Sequence, residues 1–158
     1  MLTGEAMWRL LRAVDEPGNP EIPHDYDHDA TRCRFLALAA RLDTDFGCRT
    51  DRDLWVQDAA LHARLDIPEA ATRGGEKIYV AVSNFASLAI AGPCNPDAYD
   101  SEERDVYFEA EDRRLVETAL ADLGYRLVDE PKIWEPYDGI NTALRPEITW
   151  GGRFFDYL

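Results

Sequence analysis

Apolar residues recur at helical spacing in three stretches of the chain, and each stretch predicts a helix. A short stripe predicts an N-terminal helix over Thr3–Val14, with Thr3 as its N-cap. The spacing is clearest over Asp29–Phe46, where we expect Asp29 as N-cap and Gly47 as C-cap. A third helix is expected over Asp105–Leu123.

Between the second and third helices the apolar period changes to two, which is the spacing of a half-buried strand. Leu54–Ile67 alternates apolar and polar residues in this way. Lys77–Ala91 predicts a second strand, with an interruption at Ser83–Ser87 that we interpret as a bulge. Tyr125–Val128 predicts a short third strand.

The C-terminal segment Ile148–Leu158 is rich in aromatic residues, and its Gly151–Gly152 pair predicts a hairpin. So many aromatic side chains are unfavourable in water, so we expect this tail to pack against the rest of the fold. At 158 residues the chain is long enough for one domain with a core. We therefore expect residues 1–158 to form a single α+β domain, in which an antiparallel sheet of about four strands packs against two to three helices.

The formal net charge of −14 is concentrated in three segments. Asp15–Asp29 holds six acids and no base, Asp97–Asp112 eight acids and one Arg, and Asp129–Asp138 four acids and one Lys. The rest of the chain is close to neutral. A domain with this arrangement is typical of proteins that bind something basic.

Aromatic residues lie among these carboxylates, and the combination favours a protein-binding surface. Carboxylates steer a basic partner toward the protein, and Tyr side chains supply rigid contact area. Helix capping accounts for part of the acidity, because carboxylates stabilise the N-terminal end of a helix. The predicted partner-binding residues are Asp25, Tyr26, Asp27, Tyr99, Asp100, Glu102, Glu103, Asp105, Tyr137 and Asp138.

Two other kinds of site remain open from the sequence. His24–Asp29 is dense in imidazole and carboxylate groups, so a metal-binding protein or metal-dependent enzyme could use this loop together with Asp58 and His62. Its spacing matches neither a calcium-binding loop nor H-E-x-x-H. The second alternative is a small-molecule-binding domain, for which a deep apolar pocket lined by Trp55, Trp134 or Trp150 would be the distinguishing feature.

Several classes of function are disfavoured. The chain has no G-x-S-x-G, G-x-x-x-x-G-K-[ST] or G-x-G-x-x-G motif, so we expect neither an enzyme with those signatures nor a cofactor. The acidic segments disfavour binding to nucleic acid, because phosphate contacts require Lys and Arg. No apolar run reaches the ~20 residues of a membrane helix, and the N-terminus lacks the pattern of a signal peptide. The three widely spaced cysteines Cys33, Cys48 and Cys94 fit a reducing compartment, so we expect a cytoplasmic protein, and we interpret them as ordinary, mostly buried residues.

In its small size, acidity and predicted α+β fold, the chain resembles the immunity proteins that neutralise toxins, often basic nucleases, in bacterial competition systems. The resemblance rests on the acidic-aromatic stretches Asp25–Asp27, Tyr99–Glu103 and Tyr137–Asp138. It implies a bacterial protein that masks a basic protein partner, such as a toxin, without catalysing a reaction.

Overall fold

The computed structural model describes residues 1–18, 22–53, 62–94, 99–141, 144 and 147–156. Within these ranges the chain forms five α-helices: α1 (Gly4–Val14), α2 (His28–Phe46), α3 (Ser101–Tyr107), α4 (Ala110–Asp122) and α5 (Trp150–Phe155). The same ranges contain five strands: β1 (Asp51–Asp53), β2 (Ala63–Ile67), β3 (Ile78–Val82), β4 (Leu88–Pro93) and β5 (Arg126–Leu127).

The strands form one sheet in the order β1-β2-β3-β4-β5. Neighbours from β1 to β4 are antiparallel, whereas β5 lies parallel to β4. An isolated bridge between Leu2 and Val128 follows β5. The α+β class is confirmed, and the described sheet has five strands and a mixed pattern where we expected about four antiparallel ones.

Helices cover both faces of the sheet, so the protein has three layers and two apolar cores. On one face, α2 and α4 pack against alternate residues of β2 and β3, as the alternation over 63–67 and 78–82 predicted. The first part of the strand predicted over Leu54–Ile67, residues 54–61, lies outside the described residues. On the other face, α1 and α5 pack against β3 and β4. The largest fully buried apolar side chains of this second core are Trp150, Phe85, Phe154, Met7 and Leu11.

The α1 and α5 layer covers only part of its face. Tyr79 of β3 and Ile90 of β4 are buried beneath it. On β2 the corresponding positions are Arg64, which is exposed, and Asp66, which is half-buried. In the part of the chain that the structure describes, the β1–β2 half of this face is therefore left open beside a covered half.

The predicted bulge at Ser83–Ser87 is wrong, because the chain reverses there and β3 and β4 are separate strands of a hairpin. The backbone N–H of Leu88 donates to the carbonyl of Phe85 at 2.9 Å. Between them, Ala86 and Ser87 have φ angles of 49° and 56°. Two consecutive left-handed residues define a turn of type I′, whose twist matches that of the strands it joins.

The predicted third helix is also wrong in one respect, because it is two helices, α3 and α4. Phe108 leaves the helical conformation, with φ −106° and ψ 69°, and its side chain enters the core. Glu109 then begins α4, since its carboxylate accepts a hydrogen bond from the backbone N–H of Glu111 at 2.9 Å. A buried aromatic residue followed by a capping carboxylate interrupts a pattern that is otherwise continuous.

Three smaller expectations need correction. The N-cap of α2 is Asp27 and not Asp29, because the Asp27 carboxylate accepts from the backbone N–H of Ala30 at 2.9 Å. Gly47 ends α2 as predicted, with φ 61°. Thr3 occupies the N-cap position of α1, but its side chain makes no capping hydrogen bond. Cys33 is exposed although we expected buried cysteines.

The C-terminal tail packs into the fold, as expected, but forms a helix instead of a hairpin. Thr149 caps α5 by accepting from the backbone N–H of Gly152 at 3.0 Å. Trp150 and Phe154 are then buried on one side of the helix, at 1% and 0% exposure. The Gly151–Gly152 pair lies inside this helix and forms no turn.

A buried ion pair joins this helix to the end of α1. Arg153 Nε lies 3.1 Å from Asp15 Oδ1, and both side chains are almost completely inaccessible. Asp15 also accepts hydrogen bonds from the Tyr137 hydroxyl at 2.5 Å and from the side-chain amide of Asn141 at 2.9 Å. The Arg153 guanidinium lies 4.3 Å from the ring centroid of Phe85. Asp15, the first residue of the first acidic segment, is thus a core residue.

We expect Arg153→Met to lower the free energy of unfolding by about 3 to 5 kcal/mol, because it leaves the Asp15 carboxylate buried without its cation. The measurement is urea unfolding at neutral pH. Arg9→Met is the control, because Arg9 pairs with Glu5 at the surface, where the side chains are 75% and 89% exposed. A loss no larger than that of the control would contradict a structural role for the buried pair.

Candidate functional site

One exposed acidic surface on the described chain is the outer side of α3. Glu102, Glu103 and Asp105 are exposed there, and so is Val106, at 63%. Tyr99 lies at the edge of this surface, where its ring packs 4.6 Å from that of Tyr107. We call this group, with Asp100, the α3 surface.

Some carboxylates of the α3 surface also stabilise the helix. Asp100 accepts from the backbone N–H groups of Glu102 and Glu103, each at 2.9 Å, and Glu103 accepts from the N–H of Asp100 at 3.1 Å. The two reciprocal bonds between Asp100 and Glu103 form a capping box. Asp105 pairs with Arg113 at 2.7 Å. Glu102 therefore differs from its neighbours, because its carboxylate takes part in none of these contacts.

The other two acidic segments lie close to each other. Asp25, Tyr26 and Asp27 line a groove beside the β3–β4 turn. Tyr137 and Asp138 lie next to the Asp15 network, and Asp138 accepts from Arg12 at 2.8 Å. The two segments are connected by a short stretch after α1, in which Glu16 accepts from the backbone N–H of His24 and Gly18 donates to Asn141.

The α3 surface lies apart from these two segments. Arg104 of α3 approaches Gly92 near the end of β4, whereas Asp25–Asp27 lie beside Ala86 and Ser87, just before β4 begins. Since a strand of this length spans about 17 Å, the ten predicted residues divide between two ends of the sheet. The structure thus brings the first and third segments together and leaves the second separate.

Two of the predicted metal ligands make other contacts in the structure. Asp27 caps α2, and His28 packs its ring 6.2 Å from that of Tyr26. Asp58 lies outside the described residues. Among the residues described, no group of three or more His, Cys, Asp or Glu side chains is placed to hold a metal ion.

A cleft lies where the covered and the open halves of this sheet face meet, between β2 and the end of α5. Its volume is about 610 Å³. Ala81 and Ile90 line its floor, and its walls include side chains from β1, β2, the segment after β5 and α5. The polar and aromatic groups that line it are Asp53, His62, Arg64, Tyr79, Cys94, Trp134, Phe155 and Asp156. The small-molecule alternative required a pocket lined by a Trp residue, and Trp134 lines this one, whereas Trp55 lies outside the described residues and Trp150 is buried in the core.

Trp134 is held in place by a buried carboxylate. Its indole N–H donates to Glu130 Oε1 at 2.6 Å, and Glu130 is 2% exposed. Arg104 from α3 forms an ion pair with the same carboxylate. Tyr79 is also hydrogen-bonded to Glu130, and burial together with this carboxylate raises the pKa of the Tyr79 hydroxyl. The Tyr79 hydroxyl therefore stays protonated at neutral pH.

Arg64 and His62 differ in charge at neutral pH. The Arg64 guanidinium donates to Asp66 at 2.8 Å and lies 4.7 Å from the centroid of the Tyr79 ring. Burial lowers the pKa of His62 to about 4, and the cation of Arg153 acts in the same direction, whereas Asp156 opposes it. His62 is therefore neutral at pH 7.

Several cleft residues were not identified from the sequence as site residues. Asp53, Tyr79, Phe155 and Asp156 come from separate strands and the C-terminal helix, and no spacing along the chain relates them. The alternation over β2 did place His62 and Arg64 on the polar side of the strand. That alternation was the one signal in the sequence that pointed toward this face.

Neither the sequence nor the fold resembles a known protein closely enough to indicate a function. No protein-family model, no curated protein and no solved structure gave a significant match to the chain. Each described helix is too short or too polar to cross a membrane. The function is therefore argued from the geometry and charge of the residues themselves.

We expect the lowered pKa of His62 to make the protein less stable as the pH falls from about 6.5 toward 4. In the unfolded chain a His residue takes up its proton near pH 6.5, whereas in the folded state His62 resists protonation down to about pH 4. Between these pH values protonation therefore stabilises the unfolded state relative to the folded state. His62→Gln should remove about 1 to 2 kcal/mol of the stability loss between pH 7.5 and about pH 5.

Urea unfolding at the two pH values provides this measurement. His24→Gln is the matched control, because His24 is exposed in the loop before α2. Between the two pH values the control should lose as much unfolding free energy as the wild-type protein. An equal loss in His62→Gln and the wild-type protein would show that the His62 ring is protonated as easily in the folded state as in the unfolded one.

Proposed function

We propose that the protein is a non-enzymatic, acidic binding protein of the immunity or inhibitor type, which binds a basic protein partner and masks it. The observation that supports this most directly is the α3 surface, where exposed carboxylates surround an exposed Val106. Its expected partner is a cytoplasmic basic protein such as a toxin.

The charge of the protein supports rapid association with such a partner. A net charge of −14 on 158 residues creates a long-range field that attracts a basic surface. Association rates steered in this way rise by orders of magnitude at low salt and fall as salt screens the charges. The proposal therefore implies a measurable dependence on ionic strength.

Apolar contact area supports tight binding at the same place. An isolated exposed aliphatic residue is common on protein surfaces, but Val106 lies one helical turn after Glu102 and Glu103, so these three side chains share one side of α3. An interface needs such contact area in its centre and charged groups around it. The α3 surface combines both on one short helix.

The two alternatives have unequal support. The metal-dependent function depended on the His24–Asp29 loop, whose Asp27 carboxylate is used to cap α2. The small-molecule function is supported by the cleft and concerns a different part of the protein. Because the cleft and the α3 surface are separate, a ligand in the cleft is compatible with partner binding at α3.

We expect the double substitution Glu102→Gln and Val106→Ser to weaken partner binding roughly tenfold, because it removes one exposed carboxylate and the central apolar contact. The matched control is Glu135→Gln with Ile140→Ser, which makes comparable changes at exposed positions elsewhere, where Ile140 is 54% exposed. Affinity capture from the producing cells, compared between wild type and both variants, identifies the partner.

The association rate of that partner is then measured at about 50 mM and about 500 mM salt by surface plasmon resonance, where steering predicts a fall of at least tenfold. The control variant should behave as the wild type in both experiments. A partner that is retained equally by all three proteins, or an association rate that salt leaves unchanged, would exclude the α3 surface as the binding site.

A further inference from the structure

Trp134 is an exposed aromatic residue that is nevertheless fixed in orientation. Its side chain is 42% exposed, and its indole N–H is bound to Glu130. Gly151 of α5 lies against the six-membered ring, so closely that a Cβ atom at position 151 would come within 2.4 Å of Cζ3. A ring held on two sides loses little conformational entropy when a ligand stacks on it.

Trp134 lies beside a cleft that can hold a ligand. It lines the cleft of about 610 Å³ where the covered and the open halves of the sheet face meet, together with the apolar floor residues Ala81 and Ile90. Ligand sites in proteins have volumes of about 300 to 1,000 Å³ and combine apolar walls with a few polar groups. This volume exceeds what a single Lys or Arg side chain fills, so it suits a free small molecule.

The charges around the cleft select the kind of molecule. Asp53 and Asp156 are exposed carboxylates at its rim. Arg64 supplies one cation to the described lining and forms an ion pair with Asp66 at 2.8 Å. His62 adds no positive charge at neutral pH. The described lining is thus negative in sum and repels anions.

We propose that this cleft is a binding site for a flat organic cation, such as an aryl amidine or aryl ammonium compound. Its plane stacks on the indole of Trp134, and a cation over a Trp ring is the most favourable arrangement of this type. Its charged end lies toward Asp156 and Asp53, and its apolar body contacts the floor of the sheet. The site is separate from the α3 surface and does not depend on the proposed protein partner.

The test uses three probes of one shape: the benzamidinium cation, neutral benzamide and the benzoate anion. Each is titrated into the full-length protein at pH 7.5, with isothermal titration calorimetry and Trp fluorescence as readouts. Benzamidinium should bind saturably with a Kd of about 1 mM or below, and at least tenfold more tightly than the other two probes. Trp134→Phe should remove most of the fluorescence change.

Asp156→Asn should weaken benzamidinium binding roughly two- to fivefold, because it removes one rim charge. Glu102→Gln on α3 is the matched control, since it changes the net charge equally but lies outside the cleft, and it should leave the affinity unchanged. The same variant also separates this test from that of the α3 surface.

Three results would overturn the proposal. The first is no saturable benzamidinium binding up to about 10 mM. The second is equal binding of benzoate or benzamide, which would show that charge does not select the ligand. The third is an equal loss of affinity in Asp156→Asn and Glu102→Gln, which would show that the cation is attracted only by the overall charge. Circular dichroism of each variant establishes that it is folded before it is titrated.

Discussion

The packing of the second core depends on the buried ion pair between Asp15 and Arg153. A buried charge is tolerated only when it is paired and hydrogen-bonded, so these two residues can occupy the interior only together. Asp15 ends α1 and accepts hydrogen bonds from Tyr137 and Asn141, while the Arg153 guanidinium lies 4.3 Å and 5.0 Å from the ring centroids of Phe85 and Phe154. The Asp15 carboxylate thus fixes α1, α5 and the segment after β5 relative to the sheet. Through α5 it also positions Gly151 against Trp134.

A second buried carboxylate, Glu130, connects the two candidate sites. Arg104 reaches it from α3, and Trp134 reaches it from the wall of the cleft. The backbone of the α3 surface and the exposed indole therefore share one rigid attachment to the core, although the surfaces face different ligands. Because Tyr79 of β3 is hydrogen-bonded to the same carboxylate, the attachment extends into the centre of the sheet.

The sequence predicted what periodicity determines and missed what distant contacts determine. The α+β class, the extent of α2 and the alternation of β2 follow from local spacing. The turn at Ala86–Ser87 was missed because neither residue is a Gly or Asn, and α5 was missed because its two Gly residues lie inside a helix, where Gly151 contacts Trp134, and do not reverse the chain. Within the candidate sites, the ten acidic and aromatic positions were identified from composition. The cleft was not, since its walls come together only through tertiary packing.

The acidic segments contain both buried and exposed carboxylates, and this distinction changes how the net charge is interpreted. Asp15, Asp112 and Glu130 are buried and lie next to Arg153, Arg73 and Arg104 in turn. Such pairs leave the net charge unchanged. Because they engage Arg residues with buried carboxylates, the excess of acidic over basic groups lies at the surface. That surplus alone would explain only solubility. It favours binding where it accompanies exposed apolar area, as it does at Val106 of α3 and at Trp134 beside the cleft.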